Sequence, residues 1–270
     1  MNQKIKPSSK ITARLLPALA TVVLAPQIAL AEKSPSKYLD QAETHYKQGE
    51  LVAAIQDLNQ AIEVNPDHAA AYYSRGKVRQ KQAKFEAAIQ NYNQAIEINP
   101  DYTLAYVNRG LTHRLQGNLE TAIADLEKAK HLFQDQGRVK SQKYQTLQIN
   151  LAKVYYEQGV NTAKNGNLDK ALTSYTKAIK LNPNDAKAYN NRGFTYFQQE
   201  NWQKAIQNYT QAIEINPDFA LAYANRGLAY REKGNLDKAI NNLEKAADLY
   251  REQGENKNHQ NVQQLLNKLQ

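Results

Sequence analysis

The chain contains no cysteine. That excludes disulfide staples, cysteine-based zinc sites, thiol catalysis and anchoring through a lipid-modified N-terminal cysteine. Motifs that cradle phosphate or build a zinc hydrolase are also missing, with no P-loop, no GxGxxG and no HExxH. The five histidines, His45, His68, His113, His131 and His259, share no spacing that would make a metal site or an acid–base pair. The expectation is therefore a non-enzyme without metal or cofactor. No apolar run reaches the roughly 20 residues that cross a bilayer. The longest, Leu15 to Leu30, is interrupted by Pro17, Pro26 and Gln27.

That run has a different explanation. Lys4, Lys6, Lys10 and Arg14 precede it, and Ala29, Leu30 and Ala31 form an A-x-A site before Glu32. Basic leader, apolar segment and small-residue site together predict a secretory signal peptide over 1–31. There is no twin arginine, which points to the general secretory route. The expected location is extracytoplasmic, periplasm or thylakoid lumen, with no stable membrane insertion after cleavage. The formal charge of +9 falls to +5 when the leader's four basic residues are removed, so the mature chain is only moderately basic. Residues 32–36 read as a polar linker.

What fills the rest is repetition. Gly76 and Gly110, Gly159, Gly193 and Gly227, Pro66 and Pro100, and Pro183 and Pro217 recur at 34 residues. A fixed period of that length marks a stacked repeat architecture. Within one unit, Tyr72, Gly76 and Arg79 share a helical face, and Phe85, Ala88, Ile89, Tyr92, Ala95 and Ile96 form a second helical stripe. A glycine that returns inside a helix costs about 1 kcal/mol relative to alanine and so implies close helix contact. Pro100 ends the second helix, and Asp101 is expected to cap the next. A longer period of 117 residues maps Tyr38 onto Tyr155, Pro66 onto Pro183 and Gly137 onto Gly254, so the chain reads as a duplicated three-repeat block. The boundaries expected are repeats one to three over 37–134, a helical extension over 135–151, repeats four to six over 152–251, and a capping helix over 252–270. The cap rests on the spacing of Val262, Leu265, Leu266 and Leu269.

The unit resembles the tetratricopeptide repeat (TPR), W-x2-L-G-x2-Y, then A-x3-F, then P. The Trp column holds Tyr38, Tyr72, Tyr106, Tyr155, Tyr189 and Tyr223. The Ala column holds Ala54, Ala88, Ala122, Ala171, Ala205 and Ala239. Arg75, Arg109, Arg192 and Arg226 stand where the family often has Leu. The composition also resembles that of cyanobacterial members. The resemblance implies an all-α, right-handed solenoid of six helix-turn-helix repeats that binds other proteins. It further implies that a stripe on each first helix lines a concave groove. In this chain that peptide-groove stripe includes Tyr73, Lys77, Val107, Arg114, Lys153, Tyr156, Lys187, Asn190, Phe194, Phe197, Leu228 and Arg231.

The 24 stripe positions carry five basic residues and one acid, Glu43. The expected ligand is accordingly a protein or peptide segment with large apolar anchors and acidic flanks. The lysines and arginines of the family's carboxylate-gripping set are not jointly present in either block, although Asn108, Asn191 and Asn225 fit its middle Asn column. Nucleic acid is not expected, because most of the 17 tyrosines lie in the repeat columns and are needed for the core. An assembly factor for a membrane complex, photosynthetic among the options, is the rival reading.

Overall fold

Each 34-residue unit carries two apolar stripes separated by turn residues, and each stripe forms one helix. The computed structural model describes residues 34–269, and these are all-α, with no strand among them. The leader expected over 1–31 lies outside the described residues. Six helical hairpins follow one another: α1 (Pro35–Gln48) with α2 (Leu51–Val64), α3 (Ala69–Lys81) with α4 (Phe85–Ile98), and α5 (Thr103–Leu115) with α6 (Leu119–Asp135). They continue with α7 (Gln142–Lys164) and α8 (Leu168–Leu181), α9 (Ala186–Gln198) and α10 (Trp202–Ile215), and α11 (Ala220–Glu232) and α12 (Leu236–Glu252). A single helix, α13 (Asn256–Leu269), comes last. The hairpins fall into two compact units, α1–α4 through Pro100 and α5–α13 from Asp101 onward.

Helix ends follow local chemistry, with two departures from expectation. Pro35 begins α1 instead of belonging to the linker, because its fixed φ and missing N–H suit the first helical position. Tyr102, not Asp101, occupies the N-cap position of α5. Asp185 and Asn201 do cap, accepting from the backbone N–H of Ala188 and Lys204. The turn inside each hairpin needs a left-handed residue. Gly49, Gly117, Gly166 and Gly234 supply it at φ of +77° to +84°, whereas Ala83 and Glu200 adopt φ of 58° and 57° with a side chain attached.

The repeat columns meet in the core. All six residues of the Ala column are fully buried, and the residue four places on, Leu58, Tyr92, Leu126, Tyr175, Tyr209 or Leu243, is at most 2% exposed. The recurring glycine faces that large side chain. A Cβ on Gly76 would lie 2.5 Å from the Tyr92 ring, on Gly159 2.6 Å from the Tyr175 ring, and on Gly227 2.9 Å from Leu243 Cγ. The helix-propensity cost of glycine is thus repaid by ring packing that a methyl would forbid.

Packing between repeats sets which face is available. Consecutive helices touch throughout each unit, and first helices of successive repeats also touch, α1 with α3, α5 with α7, α7 with α9 and α9 with α11. Second helices of successive repeats make no comparable contact. First helices therefore lie on the tighter, inner side of each unit. α7 is longer than its counterparts, 23 residues against 13 for α9, and its added turns bury Tyr144 and Leu147 against Leu126, Ala129 and Phe133 of α6. α13 buries Val262 and Leu266 against α12.

Candidate functional site

In every complete repeat but the first and fourth, an arginine occupies the column expected to hold leucine, and its surroundings explain it. Arg75 donates from Nε to Asn91 Oδ1 at 2.7 Å and from NH1 to Asn59 Oδ1 at 2.7 Å. Arg192 bonds Asn208 and Thr176, and Arg226 bonds Asn242 and Thr210, each partner 16 residues away on either side. The same guanidiniums lie 5.3–5.4 Å above the rings of Tyr72, Tyr189 and Tyr223. One arginine thus ties its own second helix to that of the repeat before it, with its charge stacked on tyrosine. Burial lowers the pKa of Arg75 and Arg192 from the ordinary value. Arg109 differs: Asp125, 5% exposed, accepts from its Nε at 2.8 Å and its NH2 at 2.6 Å, and this pairing raises the arginine's pKa. These arginines are structural. A regular Arg-to-Asn or Arg-to-Asp spacing of 16 is the trace they leave in the sequence.

The predicted groove residues all lie on first helices, but they are not all available. Asn190 is 2% exposed: its Oδ1 accepts from Asn225 at 3.0 Å and its Nδ2 donates to Asn191 Oδ1 at 3.2 Å. Asn191 in turn donates to Tyr156 Oη at 2.9 Å. This ladder across α7, α9 and α11 satisfies the amides internally, so Asn190 is corrected from ligand contact to internal support. Arg114 holds Glu157 of α7 with both Nε and NH2, at 2.6–3.1 Å, and Arg231 pairs with Glu232. Neither is a free cation, because acids just off the stripe neutralise both; spacing within one helix could not reveal the partner of Arg114, 43 residues away, whereas Glu232 adjoins Arg231 in the sequence. Val107 and Tyr156 are half-buried against the core of the second unit. Burial raises the Tyr156 hydroxyl above its ordinary pKa and pushes Tyr175 up to about 12.

Accessible chemistry remains in both units. In the second, Phe194 is 45% exposed and stacks on Phe197 with centroids 6.4 Å apart and planes within 5°. Phe197 meets the edge of Trp202, the chain's sole tryptophan, at 4.8 Å. Leu228 is half-buried, Leu221 is 45% exposed, and Lys153 and Lys187 are exposed without an ion pair among the described residues. In the first unit, Tyr73 and Lys77 are half-buried, and the Lys77 ammonium lies 5.2 Å from the Tyr46 ring and 5.8 Å from Tyr73. Trp202 was not among the expected site residues, since it begins a second helix and joins the cluster only through the turn at Glu200. No group of three or more His, Asp or Glu suited to a metal occurs among the described residues, and none of their helices is long and apolar enough to cross a membrane.

Paired helices repeated at 34 residues, with inner faces formed by first helices, define a helical-repeat protein of the interaction-module class. Family models described as TPR repeat match residues 42–83, 81–117 and 163–200, and models described as tetratricopeptide repeat match 104–135, 186–219 and 208–241. The chain belongs to the tetratricopeptide repeat family. Among solved structures it is similar to the C-terminal part of a TPR repeat-containing protein from Cytophaga hutchinsonii, with 22% identity, 86% of this chain and 90% of that one covered, and a TM-score of 0.58. It is similar also to MamA, with 26% identity, 69% and 94% covered, and a TM-score of 0.50. YrrB, described as a TPR protein with an unusual peptide-binding site, matches at 24% identity over 71% and 91% of the chains, with a TM-score of 0.50. No curated protein matches the sequence.

Proposed function

We propose that this chain is a non-enzymatic scaffold that holds a segment of a partner protein on its first-helix faces. The observation that carries the proposal is the exposed Phe194, stacked on Phe197 within the second unit and accompanied by the unpaired Lys153 and Lys187. Large apolar groups left in water on first helices that also carry free cations fit a ligand with one or two apolar anchors and Asp or Glu flanks. The anchors give most of the affinity and the charges steer encounter. The same reading puts the scaffold outside the cytosol, supported by the basic leader and the A-x-A site before Glu32.

The test is capture of a partner from the native envelope by the mature chain, repeated with Phe194→Ala and with Lys153→Glu/Lys187→Glu. Both variants change exposed side chains and should keep the wild-type melting curve. The first should weaken partner binding at any salt, and the second should remove the salt-sensitive part of the affinity. A partner that binds both variants as it binds wild type would move the interface off this face. The exported chain should begin at Glu32 by intact mass, and an uncleaved Met1 would refute the leader assignment.

A further inference from the structure

The 117-residue offset that carries the first block onto the second also carries one cavity onto another. In the first unit, a cavity of about 280 Å³ is lined by Glu43 and Tyr46 of α1, Leu58 of α2, and Ser74, Lys77 and Val78 of α3. In the second, a cavity of about 230 Å³ is lined by Val160 and Ala163 of α7, Tyr175 of α8, and Asn191, Phe194 and Thr195 of α9. Each of the first six residues is the duplicate of the corresponding one in the second six. Both cavities sit between the first helices of two successive repeats, over the second helix of the earlier one. The fold therefore makes the hollow twice, and the side chains decide what enters it.

Those side chains have diverged in polarity. Glu43, Tyr46 and Lys77 on the wall, and Lys81 outside it against the Tyr46 ring, stand where the second copy has Val160, Ala163, Phe194 and Gln198. In the first copy, two ammonium groups lie against one ring, Lys77 at 5.2 Å and Lys81 at 4.6 Å from the Tyr46 centroid. Glu43 is bonded by Lys47 at 2.7 Å, and that pairing lowers its pKa, with a smaller contribution from Lys77. Neither Lys77 nor Lys81 has an ion-pair partner among the described residues, and Asp40 is the other acid on the wall. Two close ammoniums beside an aromatic wall and the Ser74 hydroxyl suit a carboxylate. In the second copy, Ala163 replaces the covering tyrosine and Phe194 replaces the lysine, which suits an apolar side chain. Lys164 at that rim favours an acidic neighbour.

We infer that the chain carries two copies of one side-chain site with different preferences: a carboxylate in the first unit, held by Lys77 and Lys81, and an apolar anchor in the second, held by Phe194 and Val160. The inference rests on the reading that first-helix faces bind a partner segment. Its consequence is a partner recognised at two points, with affinity set by the linkage between them as well as by either contact.

The full chain is titrated by calorimetry with two capped peptides, hexaglutamate and the uncharged Gly-Ser-Phe-Leu-Ser-Gly, while Trp202 fluorescence reports the second site through its contact with Phe197. Lys77→Ala/Lys81→Ala should weaken hexaglutamate by about tenfold or more, as expected when charge-assisted hydrogen bonds are lost, and leave the apolar peptide unchanged. Phe194→Ala should do the reverse. Only the apolar peptide should shift the Trp202 emission. Hexaglutamate with a free C-terminus distinguishes a terminal carboxylate, which would bind more tightly, from side-chain carboxylates, which would bind equally. Peptides joining both motifs through Gly/Ser linkers of graded length should exceed either alone at some length. Hexaglutamate binding that ignores Lys77 and Lys81, or both variants weakening the same peptide equally, overturns the two-site inference while the docking face stands. If the wild-type chain binds neither peptide, the docking face falls and the inference with it.

Discussion

At the scale of single residues, the arginine column separates charge used for structure from charge left for recognition. Arg75, Arg192 and Arg226 each face an asparagine 16 residues on, and Arg109 alone faces an aspartate. Asp125→Asn should therefore cost under about 1 kcal/mol, since it reproduces the pairing of the other repeats. Asp125→Ala removes both bonds to a half-buried guanidinium and should cost about 2–3 kcal/mol. Urea denaturation of the two variants checks the contrast. His113 gives a pH dependence of known sign. Burial lowers its pKa from the ordinary 6.5, with Asp125 opposing and Arg109 adding to the shift, and its Nδ1 is buried without a hydrogen-bond partner. The unfolded chain thus binds that proton more readily, and stability should fall as pH drops through about 6.5. Thermal melts between pH 8 and 5 should show a shallower decline for His113→Gln than for wild type.

At the scale of the helix and its turns, the six hairpins use one geometry with unequal local chemistry. Four turns place glycine in the left-handed region, and two force a side chain there, Ala83 at φ 58° and Glu200 at φ 57°. That conformation costs an L-residue roughly 1–2 kcal/mol, partly offset by the greater entropy glycine loses on folding. Ala83→Gly and Glu200→Gly should each stabilise the chain by about 0.5–1 kcal/mol, read as a higher melting temperature. A lower one would mean that the Glu200 side chain supports the nearby Trp202 cluster. Element type and spacing were legible in the sequence, because each stripe repeats with a 3.6-residue period and every break except those at Ala83 and Glu200 carries Gly or Asn-Pro. The N-cap of α5 was not. Asp101 has the right chemistry, but the helix begins two residues later, where packing of Thr103, 4% exposed, sets its start.

At the scale of the molecule, stability should follow repeat count. The first unit contains two hairpins and a small buried cluster of Ala42, Ala54, Leu58 and Val78, whereas the second contains four hairpins, the long α7 and the closing α13. A repeat cannot bury its apolar face alone, and about three are needed for an array to stand by itself. A fragment of residues 101–270 should melt cooperatively with high helicity. Residues 34–100 alone should show weak, non-cooperative helicity by circular dichroism. Equal cooperativity in both fragments would show that two hairpins suffice here.

By itself the sequence determined the 34-residue period, the helical hairpins, the core columns and the 117-residue duplication, because these depend on which residue types recur and at what spacing. It also assigned every candidate groove residue to a first helix. Tertiary structure alone decided which of those residues a partner can reach. Asn190 lies at a groove position yet is 2% exposed and bonded by Asn225 of α11, and Arg114 is neutralised by Glu157 from the next repeat. Trp202 reaches the aromatic cluster from a second helix. In each case the deciding contact joins residues on different helices, and their distance and orientation come from how the helices pack. A periodic pattern within one helix carries no record of that packing.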